Sequence, residues 1–386
     1  MKEKAINSLP KKTKFTKKSI IIAFFIAAVI IGVIVLVVCL GNKGKPGTHY
    51  LFTNNLTPVC KDNKWGYITK NGREAVKPQF DDASIFASNL AAVQKDNKYG
   101  FINAKGKFEI EPQFDYAEAF SDELALVCKD SKYGFINTDG TVVIDYQYED
   151  ASSFSDGLAA VCVDSEWGFI NKEGKIVITP QFDYVCDFSE GFALVEKGSL
   201  QGFIDKKGKT AIECKYDFAI DFSEGKAGVC ENGKWGFIDT NGKYIVEPQY
   251  DLVASFSQDT AAVMQDGKWG FINKKGKMIV KPQFADAYSV YNSLAAVCDS
   301  NGKWGFVDKN GNYKINSQYL YADFFYDDGY AVVCNDDKKY VVINEKGKVI
   351  SKGYDSIGEF YCPIFCKENG CFEYSYTDDY CANHKK

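Results

Sequence analysis

The chain has 386 residues, of which 15% are aromatic, so it can bury a large core. Its net charge is −5, but seven lysines and one glutamate within the first 18 residues give that segment +6 and leave the remainder at −11. Arg73 is the only arginine of this acidic remainder, which lacks the basic surface that nucleic-acid binding requires. We therefore expect no DNA or RNA partner.

Residues 20–40 form an uncharged stretch rich in Ile and Val, and it predicts one transmembrane helix. At about 1.5 Å per residue these 21 residues reach about 31 Å, enough to cross a hydrocarbon core of about 30 Å. The lysines of residues 1–19 predict a cytoplasmic tail, so the chain after residue 40 is expected to be extracytoplasmic. The resulting location is the cell membrane, crossed once, with residues 41–55 as a linker.

Other interpretations of this stretch fit less well. A cleaved signal peptide has a shorter apolar region and a small-x-small cleavage site, and Gly41-Asn42 is a poor one. A lipoprotein would carry its lipid on Cys39, but Val38 precedes that cysteine where Gly or Ala is usual. A buried core helix is a poor match for so long an apolar run. We adopt the uncleaved span.

An aromatic residue followed by glycine recurs along most of the chain. The pairs are Trp65-Gly66, Tyr99-Gly100, Tyr133-Gly134, Trp167-Gly168, Trp235-Gly236, Trp269-Gly270 and Trp304-Gly305, and Gln201-Gly202 fills one further slot. The step is 34 residues and lengthens to 35 at the last pair. A fixed period of this size indicates a repeat architecture, which we place at residues 56–352.

Each unit contains short strand patterns separated by turn signals. An apolar run such as residues 158–161 precedes a tight turn, a Trp-Gly-Phe-Ile strand and an Asn/Asp-x-x-Gly turn. The third strand is ended, or confined to a sheet edge, by a proline such as Pro180. Aromatic residues six positions apart, such as Phe182 and Phe188, predict a fourth strand. No window outside residues 20–40 has helical periodicity, so the body is predicted to be all-β.

The phrase Phe-Ser-x-Gly-Leu-Ala-x-Val…Lys-Trp-Gly-Phe-Ile-Asn/Asp-x-x-Gly-Lys…Pro-Gln-Phe-Asp resembles the WG, or KWG, repeat of bacterial proteins. The resemblance covers about residues 56–352, and a weaker copy lies at residues 339–347. It implies a bacterial membrane-anchored repeat protein and no particular activity. Because the Trp-Gly pair recurs at one phase, we interpret it as a packing device between units, not as a ligand platform.

The strand order resembles a propeller blade, so we predict small antiparallel, propeller-like sheets. We count eight clear units, one degraded unit and a fragment. Nine units are an awkward number for a ring, since propellers usually have four to eight blades. An open β-superhelix or solenoid is the alternative. Residues 50–52 are placed to donate a strand near the start, and the first blade would then be completed from the far end of the chain.

Most of the thirteen cysteines occupy one repeat position. Cys60, Cys128, Cys162, Cys230, Cys298 and Cys334 share it, and equivalent positions of neighbouring units are too far apart to bridge. They are predicted to be small buried thiols, which suggests a reducing or anaerobic setting.

Residues 353–386 are a degenerate last repeat with a cysteine-rich tail. Cys366 and Cys371 flank a hairpin-type loop and are the candidate disulfide, with unlinked thiols as the alternative. The cysteine spacing in this tail does not match a zinc site, so neither a metal nor another cofactor is predicted.

The sequence contains no evident catalytic constellation. His49 and His384, the two histidines, lie in the spacer and the tail, so neither is placed as a general base. Carboxylates recur in the loops before the Phe-Ser-x-Gly glycine, and we interpret them as solvated turn residues; examples are Asp187, Glu190, Asp221 and Glu224.

The sequence therefore favours a membrane-anchored extracytoplasmic scaffold that binds a protein or cell-envelope polysaccharide without catalysis. A plainer possibility is a spacer with no defined small ligand. The competing hypothesis is an envelope-associated enzyme, for example a glycan-acting one, with its site in a propeller funnel or an irregular loop. Two irregular units are the first places to look in either case: the Gln201-Gly202 unit, and residues 285–292, where Val290 replaces the usual aromatic residue.

Overall fold

The computed structural model describes residues 50–358 and two short strands, Ile364–Phe365 and Tyr374–Ser375, which pair antiparallel. Residues 50–358 form nine small antiparallel sheets that follow one another as the blades of a propeller. The predicted all-β class and propeller-like sheets are confirmed. In the described part of the chain no helix is long and apolar enough to cross a membrane. Residues 20–40, and the cysteines Cys366 and Cys371, lie outside the described residues.

Blades 1 to 5 follow the chain in order, and each contains an inner strand of two residues and three longer strands. The inner strand of blade 1 comes from the far end of the chain. Blade 1 contains Leu56–Lys61, Lys64–Thr69 and Glu74–Phe80; blade 2 contains Asp82–Ala83, Ala91–Lys95, Lys98–Ile102 and Phe108–Phe114; blade 3 contains Tyr116–Ala117, Ala125–Lys129, Lys132–Ile136 and Val142–Tyr148. Blade 4 contains Asp150–Ala151, Leu158–Val163, Glu166–Asn171 and Ile176–Phe182; blade 5 contains Tyr184–Val185, Phe192–Lys197, Leu200–Asp205 and Thr210–Tyr216.

Blades 6 to 9 continue the series, and only the last lacks a full outer strand. Blade 6 contains Phe218–Ala219, Lys226–Glu231, Lys234–Asp239 and Tyr244–Tyr250; blade 7 contains Leu252–Val253, Thr260–Gln265, Lys268–Asn273 and Met278–Phe284. Blade 8 contains Asp286–Ala287, Ala295–Cys298, Trp304–Val307 and Tyr313–Tyr319; blade 9 contains Tyr321–Ala322, Tyr330–Cys334 and Tyr340–Asn344. Isolated bridges from Val349 and Tyr354 replace the outer strand of blade 9.

The ring closes at blade 1. Its inner strand, Ser356–Ile357, comes from the far end of the chain and pairs with Leu56–Lys61, so the predicted completion from that end is confirmed. Residues 50–53 supply the rest of the inner segment, and the Asp328 carboxylate accepts hydrogen bonds from the backbone N–H groups of Leu51 and Phe52. The open superhelix is thus excluded, and the expectation that nine units fit a ring poorly is wrong.

The Trp-Gly glycine permits a close approach of the outer strand. The outer strand bulges opposite this glycine, and a Cβ at Gly236 would lie 2.4 Å from Val246 O and 2.7 Å from Pro248 N. No side chain fits there. Proline therefore lies within the outer, edge strand and does not end it, while the predicted fourth strand is only the two-residue inner strand of the next blade.

The core lies between blades. Each hydrophobic cluster joins residues of two neighbours, as where Leu126 and Phe135 of blade 3 pack with Phe154 and Val161 of blade 4. The aromatic residue of the Trp-Gly pair belongs to this layer: the Tyr99 ring lies 5.8 Å from that of Tyr116 in the next blade. Its predicted packing role is confirmed.

The repeat-position cysteines are free thiols, as predicted. All six are buried, and so is Cys186, whereas Cys214 is half-buried. Burial is the largest cause of a raised pKa at Cys60, Cys128, Cys162, Cys230 and Cys298, and it brings the pKa of Cys230 to about 11. A thiol with so high a pKa is a poor nucleophile at neutral pH.

Candidate functional site

The segments that follow the inner strands line the ring axis. Four serines at one repeat position each donate a hydrogen bond to a phenylalanine carbonyl of the next blade; the pairs are Ser121–Phe154, Ser155–Phe188, Ser189–Phe222 and Ser223–Phe256. Equivalent points of neighbouring blades come closer together towards the axis of a ring. Direct contact between residues about one repeat apart therefore places them beside the axis. We call residues 84–87 and their equivalents the axial segments.

Polar side chains of the axial segments are joined across blades. Ser152 Oγ donates to Asp187 Oδ1 at 2.6 Å, Ser153 Oγ donates to the Glu118 carboxylate, and Ser289 Oγ donates to Ser255 O at 2.7 Å. These hydrogen bonds join blades 3, 4 and 5, and blades 7 and 8. The axis is therefore closely bonded over much of its circumference.

The turns after the axial segments are linked by carboxylates. Glu190 accepts hydrogen bonds from the Glu224 and Gly225 N–H groups at 2.8 Å, and Glu224 accepts one from Asp259 N–H at 3.0 Å. The prediction that these acids are only solvated turn residues is wrong. Glu190 and Glu224 cap the next turn, and Asp221 is buried, with only 8% of it exposed. A chain of caps therefore fixes neighbouring turns to each other.

Blades 8 and 9 break this pattern. Tyr291 and Tyr326 occupy the position at which five other blades have serine. The rings of Tyr291 and Phe324 lie 4.6 Å apart, as do those of Phe324 and Tyr326, and all three residues are half-buried. Aromatic rings here replace the serine bonds along the axis.

Asp323 directly precedes Phe324 and is buried, with 2% of it exposed. Burial raises the pKa of its carboxyl to about 8, although the Phe324 N–H and the Tyr326 side chain act in the opposite direction. Its Oδ2 has no hydrogen-bond partner, and no lysine of residues 50–358 forms an ion pair with it. A buried polar atom without a partner is costly, so it calls for an explanation.

Tyr291 and Tyr321 interact electrostatically with this carboxyl, and Tyr321 contacts Tyr288 in turn. Tyr288 Oη and Tyr321 Oη lie 3.2 Å apart, and Tyr288 stacks on Trp304 with ring centroids 5.5 Å apart. Burial, followed by the carboxylates of Asp323, Glu224 and Asp327, raises the pKa of Tyr291 to about 12. We call Tyr288, Tyr291, Tyr321, Asp323, Phe324 and Tyr326 the blade 8–9 cluster.

A second regular feature is also missing beside the cluster. In several blades the acid that follows the outer strand accepts from a turn N–H of the next blade, and some of these acids also pair with a lysine of their own blade, as Asp251 does with Asp266 N–H and Lys234. Ala285 and Leu320 occupy this position at the entries to blades 8 and 9. These blades therefore lack the clamp that holds their neighbours.

The two irregular units named from the sequence differ in outcome. In blade 5 Gln201 is buried, accepts from Ala219 N–H at 2.7 Å and donates to Glu196 at 3.0 Å, so the change is internally compensated. The unit around Val290 borders the blade 8–9 cluster. Sequence reasoning missed Asp323, whose only signal was an acidic residue at a repeat position otherwise held mostly by small or apolar residues.

Two further observations concern the described residues. They contain no group of three His, Cys, Asp or Glu residues that could hold a metal ion. A shallow depression of about 400 Å³ lies beside blades 1 and 2, and its lining residues are Asn54, Asn55, Asn89, Asn103, Ala104 and Lys105. Its amides bond to neighbouring groups, as Asn54 does to Asn89, so it is less distinctive than the cluster.

Comparison with known proteins identifies the repeat. The family described as WG containing repeat matches residues 65–99, 99–133, 133–167, 167–200, 202–235, 235–269, 269–304 and 304–338. No curated protein sequence matches the chain.

Among solved structures, a crystal structure of a eukaryotic initiation factor is 12% identical, with a TM-score of 0.56, and the match covers 79% of this chain and 96% of that one. The dihydro-heme d1 dehydrogenase NirN is also 12% identical, with a TM-score of 0.46 over 82% of this chain and 76% of that one. At this identity the first likeness supports the fold alone, and the second carries no argument.

Proposed function

Because the chain belongs to the WG containing repeat family and has an irregular cluster of aromatic residues in blades 8 and 9, we propose that it is a non-catalytic binding scaffold. The observation that carries the proposal is the blade 8–9 cluster, where partly exposed rings surround a buried carboxyl without a full set of partners. Aromatic residues held on a rigid frame are typical of binding sites. The ligand is a protein or polysaccharide of the cell envelope.

The proposal includes the membrane anchor and the side of the membrane. It is supported by the apolar residues 20–40 and the lysines before them, a pattern typical of a single span with a cytoplasmic N-terminus. The nine blades then lie on the extracytoplasmic side of a bacterial membrane. Protease added to intact cells would cleave the blades in that arrangement and would spare them if the ring were cytoplasmic.

An envelope enzyme is the second candidate, and the raised pKa of Asp323 favours it, since general acids commonly have such values. Glycoside hydrolysis needs a second carboxyl about 5 to 9 Å away. Asp327 follows on the same segment, but it is exposed and interacts electrostatically with Tyr291. Release of sugars from envelope glycans by the wild type, lost in Asp323→Asn, would establish this candidate in place of the scaffold.

Capture of envelope components by the full-length chain tests the scaffold proposal. We expect saturable capture that falls at least tenfold in the double variant Tyr291→Ser, Tyr326→Ser, which restores the regular serine. Tyr313→Ser is the matched control, because Tyr313 is 41% exposed on the outer strand of the same region. Equal capture by all three proteins would refute a role for the cluster, and no capture by the wild type would refute the scaffold.

A further inference from the structure

Lysines join neighbouring blades on the face of the ring that carries the turns after the axial segments. Each of these lysines lies in the turn between the Trp-Gly strand and the outer strand of its blade. Its Nζ is 3.2 to 3.8 Å from an acid in the turn after the axial segment of the preceding blade. The pairs are Lys70–Asp328, Lys172–Glu123, Lys206–Asp156 and Lys274–Glu224. Each lysine thus bridges the space between the two turns.

Lys274 of blade 7 shows most fully how such a lysine fills this space. Its Nζ lies 3.7 Å from Glu224 Oε2 of blade 6 and also pairs with Asp259, which belongs to the turn after the axial segment of blade 7. The side chain therefore lies among three turns. Because exposed ion pairs contribute little stability, the main effect of this lysine is to occupy the space between the turns.

Blades 1 and 2 contain the same three turns without these charges. Asn54 and Asn89 occupy the positions of the two acids, and Ala104 occupies the position of the lysine. The depression of about 400 Å³ beside blades 1 and 2 lies among these turns, and all three residues line it. The short alanine side chain leaves open the space that lysine fills in blade 7. The depression therefore has a definite structural cause.

Amide groups held in fixed positions line the depression. Asn54 Nδ2 donates to Asn89 Oδ1 at 3.2 Å, a bond that crosses from blade 1 to blade 2 and orients both side chains. Asn103 is fixed as well, because its Oδ1 accepts from Lys105 N–H at 2.9 Å, and the exposed Asn55 adds a further amide. Each asparagine amide has two N–H donors and one carbonyl acceptor, so the Asn54–Asn89 bond leaves both kinds of group for a ligand.

We infer that the depression of blades 1 and 2 binds a neutral sugar residue of a glycan, whose hydroxyl groups bond to the amides of Asn54, Asn55 and Asn89. A hydroxyl both donates and accepts, so adjacent hydroxyls of a sugar match a mixed set of amide donors and acceptors. Protein partners are usually anchored by large apolar or aromatic side chains, whereas among the six described lining residues Ala104 alone has an apolar side chain. The inference goes beyond the proposed function and does not depend on the blade 8–9 cluster.

The test is a saturation-transfer NMR titration of the full-length chain, purified without glycoside detergents. The neutral probes are maltotriose, cellotriose, mannotriose and triacetylchitotriose, and the comparison probes are trigalacturonate and a blocked trialanine peptide. We expect at least one neutral trisaccharide to bind saturably and at least tenfold more tightly than both comparison probes. Tighter binding of trigalacturonate would assign the depression to an acidic ligand of Lys105, and tighter binding of the peptide would assign it to a protein. Either result would overturn the inference.

Blade 7 supplies the design of the decisive variant. The double substitution Ala104→Lys, Asn89→Asp rebuilds the pairing of Lys274 with Asp259 and should fill the depression, so we expect at least a tenfold loss of affinity for the sugar. Thr138→Lys is the matched control, because it adds a lysine at the equivalent exposed turn position of blade 3, away from the depression, and should bind as the wild type does.

A second variant removes one amide and keeps the backbone. Asn55 has a φ of 62°, and Gly157, Gly191 and Gly225 occupy its position in other blades, so Asn55→Gly should fold normally, with an unchanged melting temperature, and lose at least threefold in affinity. Undiminished binding by the double variant, or no binding of any neutral trisaccharide to the wild type, would overturn the inference. Envelope capture that still depends on Tyr291 and Tyr326 would then leave the proposed scaffold function standing.

Discussion

Asp323 should make the ring less stable as the pH rises. An ordinary aspartate has a pKa near 3.8, whereas burial raises the pKa of Asp323 in the folded ring to about 8. Between these values the unfolded chain has lost the proton and the folded ring still holds it, so the folded state binds more protons. Stability therefore falls with rising pH in this window and is flat below about 4 and above about 8.

The size of the effect follows from the difference in pKa. About four units at about 1.4 kcal/mol each give a ceiling of about 6 kcal/mol. Relaxation and water entry reduce the cost of a buried charge, so we expect a difference of about 2–4 kcal/mol. Asp323→Asn removes the titration, and the variant should become more stable relative to the wild type as pH rises from 4 to 8.

The assay is urea unfolding followed by tryptophan fluorescence, with both full-length proteins compared at each pH. Tyr291, Tyr321 and Tyr326 and the carboxylates of Glu224 and Asp327 face the same site in both proteins, so their contributions largely cancel in the difference. Asp251→Asn is the control, since Lys234 lowers the pKa of Asp251; its loss of stability relative to the wild type should develop below about pH 4 and stay constant from pH 4 to 8. A difference for Asp323→Asn that stays constant from pH 4 to 8 would refute the reasoning.

Three further predictions concern the ring. Gly236→Ala should lower the free energy of unfolding by about 3 kcal/mol, because the added Cβ would meet backbone atoms. Gly267→Ala has open space around it and should lower that free energy by only about 1 kcal/mol, because of its positive φ. Denaturant titration compares the two variants, and equal losses would contradict the bulge argument. Truncation after Val333 should abolish cooperative unfolding, since it removes the strand that closes the ring. Truncation after Gly358 keeps every strand of the ring and should leave unfolding cooperative. Superimposable circular dichroism melts of the two truncated proteins would contradict ring closure. Cys230 and Cys298, with pKa values raised to about 11 and about 12, should resist a thiol reagent at pH 8 until urea is added. Mass spectrometry maps the labelled cysteines. Rapid labelling of these two thiols in the native protein would show that they are not buried.

Much of the fold could be predicted from the sequence because each repeat carries its own turn chemistry. Gly140 has a φ of 80°, and Asn137 Oδ1 accepts from the N–H groups of Asp139 and Thr141, as the Asn-x-x-Gly pattern indicates. Closure was harder, because it depends on contacts between distant segments. Asp355 N–H donates to Cys60 O, and Asp328 accepts from residues 51 and 52; no local pattern states that these ends meet.

The site could be predicted only in part, for a related reason. A break in a repeat is visible in the sequence, and Val290 directed attention to blade 8. The cluster itself joins Tyr291 of one blade to Asp323 and Tyr326 of the next, and a one-residue insertion at the turn of blade 9 obscures their equivalence. Burial of Asp323 depends on rings contributed by both blades. A single repeat therefore cannot show it.

The position of the cluster next to the closing blade has a physical consequence. Blade 9 lacks a full outer strand, and neither it nor blade 8 has the aspartate clamp at its entry, so both depend more than other blades on contacts at the axis. Asp328, two residues after Tyr326, holds the first residues of the ring, and the Phe52 ring lies 5.1 Å from that of Tyr330. Under the proposed function, a ligand that contacted Tyr326 would also stiffen the segment that closes the ring. Variants that weaken closure would then bind that ligand more weakly, which a measurement of affinity tests.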